Sequence, residues 1–106
     1  MPAYVISTMT IHDPQTYKRY TDVTPPIVKR HGGKFLTRGD LVTTAEGDPF
    51  RERLVIIEFP DRAHAEAFYN DSDYQAASKH RRAAAKNSRL IIQEGRPETE
   101  APDPRL

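Results

Sequence analysis

An arginine set in a stripe of small residues is the first feature of this 106-residue chain able to do chemistry. At helical spacing Tyr74, Ala77, Ser78, Arg81, Ala84 and Ala85 share one face, and the alanines mark a side that packs closely. A guanidinium there either snorkels to the rim or is paired inside. Paired with a ligand, it clamps a small carboxylate through parallel hydrogen bonds. Paired within the protein, it is a structural ion pair, with Glu58 as a candidate partner. Glu58 itself prolongs the alternating stripe of Leu54 and Ile56. A carboxylate in that place needs a cation, Arg38 or Arg81, or else serves as a general base at a cavity mouth. Arg38 stands beside Gly39, and irregular strand positions often re-aim a side chain; a strand-edge ion pair is the plainer alternative.

His31 precedes Gly32-Gly33 at an expected helix C-terminus, where the helix dipole favours a cation. That alone accounts for a histidine in this place. The alternative is an acid–base role facing a pocket. Tyr17, Tyr20, Tyr69 and Tyr74 fall on inward helical faces, as core residues with one satisfied hydroxyl or as walls of a cavity between helices and sheet. Ser72 reads as a helix cap rather than a nucleophile, since no histidine is placed near it.

Other chemistries are excluded. There is no cysteine, hence no disulfide and no thiolate. His12, His31, His64 and His80 make no i, i+4 pair and no HExxH pattern, so no metal site is expected. "HGG" follows a helix, whereas a phosphate loop follows a strand; no cofactor fingerprint is visible. Sixteen basic residues face 15 acidic ones, a net charge of +1, which asks for no nucleic-acid partner. The basic cluster Lys79-His80-Arg81-Arg82, with Lys86 and Arg89, lacks interleaved aromatics and reads as a solvated helix face. "MPAYVISTMTI" has no basic leader and no long apolar run, so a cytoplasmic protein without membrane contact is expected.

The elements that position these residues follow in order. A first strand is expected over Ala3–Ile11, with Tyr4, Ile6 and Thr8 on one face and Val5, Ser7 and Met9 on the other. Asp13-Pro14 opens a helix that runs towards Arg30, interrupted at Pro25-Pro26 and stopped by Gly32-Gly33. A second strand starts at Lys34 and continues through "KFLTRGDLVTTAE", with Gly39 as a bulge or close approach. The turn Gly47–Glu52 leads to a third strand, Arg53–Phe59, the most continuously apolar segment. Asp61 caps the next helix. Ser72 and Gln75 form a capping box for another that ends near Lys86, and a last strand covers Ser88–Glu94. One domain, residues 1–95, precedes a proline-rich tail, 96–106, expected to be disordered or loosely draped.

This order is β-α-β-β-α-β, an α+β ferredoxin-like pattern: a four-stranded antiparallel sheet with helices on one face. Nothing remains in the chain to cover the other face. The face of Val55, Ile57 and Phe59 is expected to be the uncovered one, an apolar patch in water whose burial is worth roughly 1.5–3 kcal/mol per large side chain. A second copy packed sheet to sheet with two-fold symmetry solves this, giving a homodimer of the dimeric α/β-barrel type.

The segments "HGGKFLTRG", "ERLVIIEFP" and "YNDSDYQ", followed by "RRAAAKNS", resemble the small bacterial proteins of the domain of unknown function 1330 family, over Met1 to Gly95. That family is similar to dimeric α/β-barrel proteins, a group that includes small monooxygenases, dehalogenase-like and muconolactone-isomerase-like enzymes and stress-response proteins. The resemblance implies fold and dimerisation and assigns no reaction. The reading carried forward is a homodimer binding a small acidic or aromatic molecule, without cofactor, in a pocket between helices and sheet. Arg81, Arg38, Tyr17, Tyr69 and Tyr74 are the expected ligand-binding residues, and His31 and Glu58 the catalytic candidates. Its rivals are a cofactor-free monooxygenase, isomerase or lyase in the same pocket, and a structural or regulatory dimer without ligand.

Overall fold

The protein is described by a computed structural model covering residues 1–96, 100, 102–103 and 105. For residues 97–99, 101, 104 and 106 the expectation of a loose tail lies outside the described residues. Among the described residues eight elements follow one another: β1 (Ala3–Ile11), α1 (Pro14–Thr21), α2 (Thr24–Arg30), β2 (Lys34–Arg38), β3 (Arg53–Phe59), α3 (Arg62–Asn70), α4 (Ser72–Ala84) and β4 (Ala85–Glu94). The strands form one sheet in the order β2-β3-β1-β4, all neighbours antiparallel. β1 and β3 therefore hold the centre, as their apolar character requires.

Local chemistry explains most boundaries. The Asp13 carboxylate caps α1 by accepting from Thr16 N (3.2 Å) and Thr16 Oγ1 (2.6 Å). The helix breaks at Asp22–Val23, before the prolines rather than at them. Pro25 and Pro26 sit in the first turn of α2, where their missing N–H groups would have no helical partner anyway. At the end of α2, Gly32 N donates to Lys29 O (3.0 Å) and Gly33 N to Val28 O (2.9 Å), with Gly32 at φ 77°. This is a Schellman ending. At Gly33 it is space that matters, since a Cβ there would lie 2.6 Å from Phe59 Cε1 and 2.7 Å from Val28 Cγ1.

Three boundaries differ from expectation. β2 stops at Arg38 instead of running on to Glu46, because Gly39 turns left-handed (φ 75°); the irregularity in the ladder lies between Phe35 and Thr37. The cap of α4 is Asp71, which accepts from Asp73 N (2.8 Å) and Tyr74 N (3.3 Å); a charged acceptor one residue earlier displaces Ser72. Finally, α4 ends at Ala84 and β4 begins at once. An irregularity between Thr8 and Thr10 takes up an extra residue opposite β1, with Asn87 at φ 55°, a conformation asparagine tolerates.

The larger correction concerns the two faces of the sheet. Val55, Ile57 and Phe59 lie beneath the helices, at most 8% exposed, together with Ala3, Val5, Ser7 and Met9. The open face carries Tyr4, Ile6, Thr8, Leu54, Ile56 and Glu58, all partly exposed. The helices settle on the face without Glu58, Tyr4 and Thr8, whose polar groups water can reach. Phe68 of α3 anchors the helical layer, with its ring centre 5.2 Å from that of Phe59 and 4.3 Å from that of Tyr74. Among the described residues no helix is long and apolar enough to cross a membrane.

Candidate functional site

The helical layer does not close completely on the sheet. A cleft enters between α1, α2 and the strands, floored by Val5, Ser7, Met9, Val55 and Ile57 and walled by Tyr17, Tyr20, Phe35, Phe68, Tyr74 and Leu90. Interstices and mouth included, it holds about 430 Å³ free of atoms, but a water centre fits over only about 20 Å³. That exceeds the roughly 10–15 Å³ one water needs, so the cleft is a narrow slot with room for one or two waters. Outside it lies an open basin, bounded by Ile11, Pro14 and Lys18, in which a water centre fits over about 570 Å³. Tyr17, Thr21, Arg38 and Arg53 border both spaces and form the gate between them.

The gate is cationic. Arg38 Nη2 donates to Thr21 O (3.0 Å), and its guanidinium carbon lies 4.7 Å from the centre of the Phe35 ring. Arg53 reaches Tyr17 in the same manner, 5.3 Å from the ring centre, while its Nη2 donates to Arg38 O at 3.4 Å, a weak bond. Arg53 Nε is buried without a partner. Gly39 makes room for this guanidinium: a Cβ there would strike Arg53 Nη1. No carboxylate or imidazole occurs among the described residues lining the cleft. Lys18 at the basin is already paired with Asp22 (2.9 Å).

Two polar features lie inside. Ser7 is 5% exposed, and its Oγ finds no hydrogen-bond partner among the described residues. The Tyr20 and Tyr74 hydroxyls meet at 2.9 Å. Burial, and next the neighbouring Tyr74 phenol, push the Tyr20 hydroxyl well above the usual tyrosine range. It therefore stays a proton donor across the physiological range and is no general base.

Of the residues singled out from the sequence, the structure brings Tyr17, Tyr20, Tyr74 and Arg38 to this cleft. Arg81 is on the predicted stripe and buried (4% exposed), but it lies behind the cleft wall with its guanidinium carbon 5.7 Å from the Tyr20 ring centre and Nε unpaired. The ion pair expected between Arg81 and Glu58 does not form, because the sheet separates them; Glu58 is on the open face opposite Tyr4 and Lys34. Tyr69 packs on Tyr74 from outside, ring centres 6.0 Å apart. His31 Nε2 shares a 2.7 Å hydrogen bond with Asp71 Oδ2 and meets the edge of Phe68, away from the cleft. Arg30 Nη2 bonds the same Asp71 oxygen at 2.8 Å. These two partners, His31 first, hold the Asp71 carboxyl far below the ordinary carboxylate range. Among the described residues no three His, Asp or Glu side chains converge as a metal ion would require.

Arg53 and Ser7 were not among the expected site residues. Both were findable by parity: Arg53 shares its strand face with Val55, Ile57 and Phe59, and Ser7 shares its face with Val5 and Met9.

Comparison with known proteins finds the same fold in other chains. The fold matches the RPA0582 protein of unknown function from Rhodopseudomonas palustris, with 26% identity, 92% of this chain and 84% of that one covered and a TM-score of 0.70. It also matches SnoaB, a cofactor-independent oxygenase from Streptomyces nogalater (15% identity, 94% and 98% covered, TM-score 0.63). A putative antibiotic biosynthesis monooxygenase from Nitrosomonas europaea is similar in fold as well (18% identity, 89% of each chain, TM-score 0.60). No curated protein matches the chain. A sequence model of the domain of unknown function DUF1330 matches residues 2–95: the chain belongs to the DUF1330 family.

Proposed function

We propose that this protein binds a small acidic, aromatic molecule in the cleft between helices and sheet and works as a homodimer joined through the open sheet face. The observation that supports the ligand is the gate: two guanidiniums, Arg38 and Arg53, ion-paired to no carboxylate among the described residues, stand at the mouth of an aromatic-walled slot. Guanidiniums resting on ring faces and main-chain carbonyls exchange those contacts for a carboxylate at little loss. Apolar lining with a few convergent polar groups is the usual make-up of a small-molecule site. The open face, with Ile91 48% exposed beside Ile6 and Ile56, supports the dimer.

Calorimetric and thermal-shift titration with a panel of aromatic and aliphatic monocarboxylates tests the ligand. Aromatic acids should stabilise the wild type, and Arg53→Gln should weaken them at least tenfold. Equal stabilisation of wild type and variant, or none by any acid, overturns the reading.

A second reading, a cofactor-free enzyme in the same cleft, is favoured by the likeness in fold to a cofactor-independent oxygenase. With no base among the described lining residues, such an enzyme would need a substrate acidic enough to ionise unaided. Arg53 would then hold the resulting anion. Oxygen consumption on adding an ionisable hydroxyaromatic compound would separate this reading from simple binding.

A further inference from the structure

Two polar atoms of residues that border the cleft, Arg53 Nε and Ser7 Oγ, are buried and have no hydrogen-bond partner among the described residues. Ser7 pairs with Val55 in the β1–β3 ladder, and Met9 pairs with Arg53. Ser7 and Arg53 are thus diagonal neighbours on the covered face, with Cα atoms roughly 7–8 Å apart. Ser7 is flanked across the sheet by Val55 on β3 and Leu90 on β4, neither of which offers a side-chain hydrogen bond. A hydroxyl left bare in such a place is costly unless water or a ligand reaches it, and the slot has room for a water.

We infer that Ser7 determines specificity: the cleft takes an aromatic carboxylate that carries a second hydrogen-bonding group at the far end of its ring, the carboxylate at Arg53 and Arg38 and the far group on Ser7 Oγ. This rests on the binding reading above and narrows its ligand class. The orientation follows from charge. The guanidiniums are at the mouth, where the basin is open to water, so the anion stays outermost and the ring enters between Tyr17, Tyr20 and Phe35. The slot admits only water as it stands, so the ring displaces water and pushes the gate open. Arg53, held by a ring face and a 3.4 Å bond to a main-chain carbonyl, is the movable part. A site with a buried hydroxyl to satisfy discriminates against a ligand of equal size that cannot hydrogen-bond, because that ligand strands the hydroxyl.

The test compares 4-hydroxybenzoate with 4-methylbenzoate, alike in size and charge, by calorimetry on wild type, Ser7→Ala and Arg53→Gln. Wild type should bind the hydroxy acid at least tenfold more tightly. Ser7→Ala should remove that preference while binding the methyl acid at least as well as wild type. Arg53→Gln should weaken both acids by the same factor and keep the preference. Equal binding of the two acids by wild type overturns the role of Ser7 and leaves the binding reading standing. A preference that survives in Ser7→Ala does the same. If neither acid nor any other in the panel binds, the binding reading fails and this inference with it.

Discussion

Asp71 joins three parts of the chain through one carboxylate. It caps α4, accepts from His31 at the end of α2 and accepts from Arg30; its side chain is only 12% exposed. All these partners favour the ionised form, so its proton affinity is depressed on folding. The stability it contributes is then fully present above the unfolded carboxylate value of roughly 3.9 and is lost as pH falls below it. Asp71→Asn should therefore lower the melting temperature at pH 7, and the gap to wild type should narrow steadily below about pH 4. Melting curves across pH check this, and a gap independent of pH would show that the ionised carboxylate adds no stability of its own. Tyr20 has the opposite sign. Its folded value is raised by burial, so its contribution is present below the ordinary tyrosine value of about 10 and lost as pH rises above it. Tyr20→Phe should cost roughly 0.5–1.5 kcal/mol at pH 7 through the lost hydroxyl pair and flatten the alkaline decline, both measurable by urea unfolding. At this scale the sequence was half legible. Helical spacing put Arg81 on its buried stripe, which residues 74, 77, 78, 81 and 84 occupy. Its neighbour Tyr20 belongs to another helix 61 positions earlier, and no local pattern carries that information.

Among the elements, the segment His31–Asp40 shows how three glycines serve three purposes. Gly32 adopts the left-handed turn that ends α2, Gly33 admits Phe59, and Gly39 ends β2 and admits the Arg53 guanidinium. Gly33→Ala should cost roughly 1–3 kcal/mol by overpacking against Phe59 and Val28, read from urea unfolding, with ligand affinity little changed. Gly39→Ala should displace Arg53 and weaken aromatic acids about as much as Arg53→Gln does. An alanine at 39 that binds normally would mean that the gate does not depend on this glycine. The helix stop and the strand start were readable because Gly-Gly after a basic turn is the ordinary chemistry of a helix end. The end of β2 was not, since "LVTTAE" has the composition of a strand and only the left-handed turn at Gly39 diverts the chain. The site suffered from the same limit. Parity assigns side chains to two faces but does not say which face the helices cover, so an open face at Val55, Ile57 and Phe59 satisfies the pattern equally well.

For the whole molecule, the open face is the surface on which the proposed dimer rests. Ile6 stands opposite Ile56 on β3 and Ile91 on β4, so three isoleucines form a ladder across the centre of the sheet, with Leu54 and Thr8 as the next rung. Leu36, 45% exposed on β2, adds to the same layer. Burying the three isoleucines on each of two copies gains roughly 1.5–3 kcal/mol per side chain as an upper estimate. Part of this offsets the translational and rotational freedom lost on association. A two-fold arrangement makes every contact twice, so one substitution acts twice. Ile6→Asp places a carboxylate at the centre of the patch on both copies, where its charge would be desolvated against its own image. The expected result is a monomer in sedimentation velocity at micromolar concentration, still folded by circular dichroism because Ile6 points away from the helix-covered core. Wild type should sediment as a dimer under the same conditions. A wild-type monomer, or an Ile6→Asp dimer, would move the association to another surface. The covered face gives the complementary control: Val5→Asp should unfold the subunit itself, since Val5 is 1% exposed and a carboxylate there is desolvated among the apolar side chains of the core.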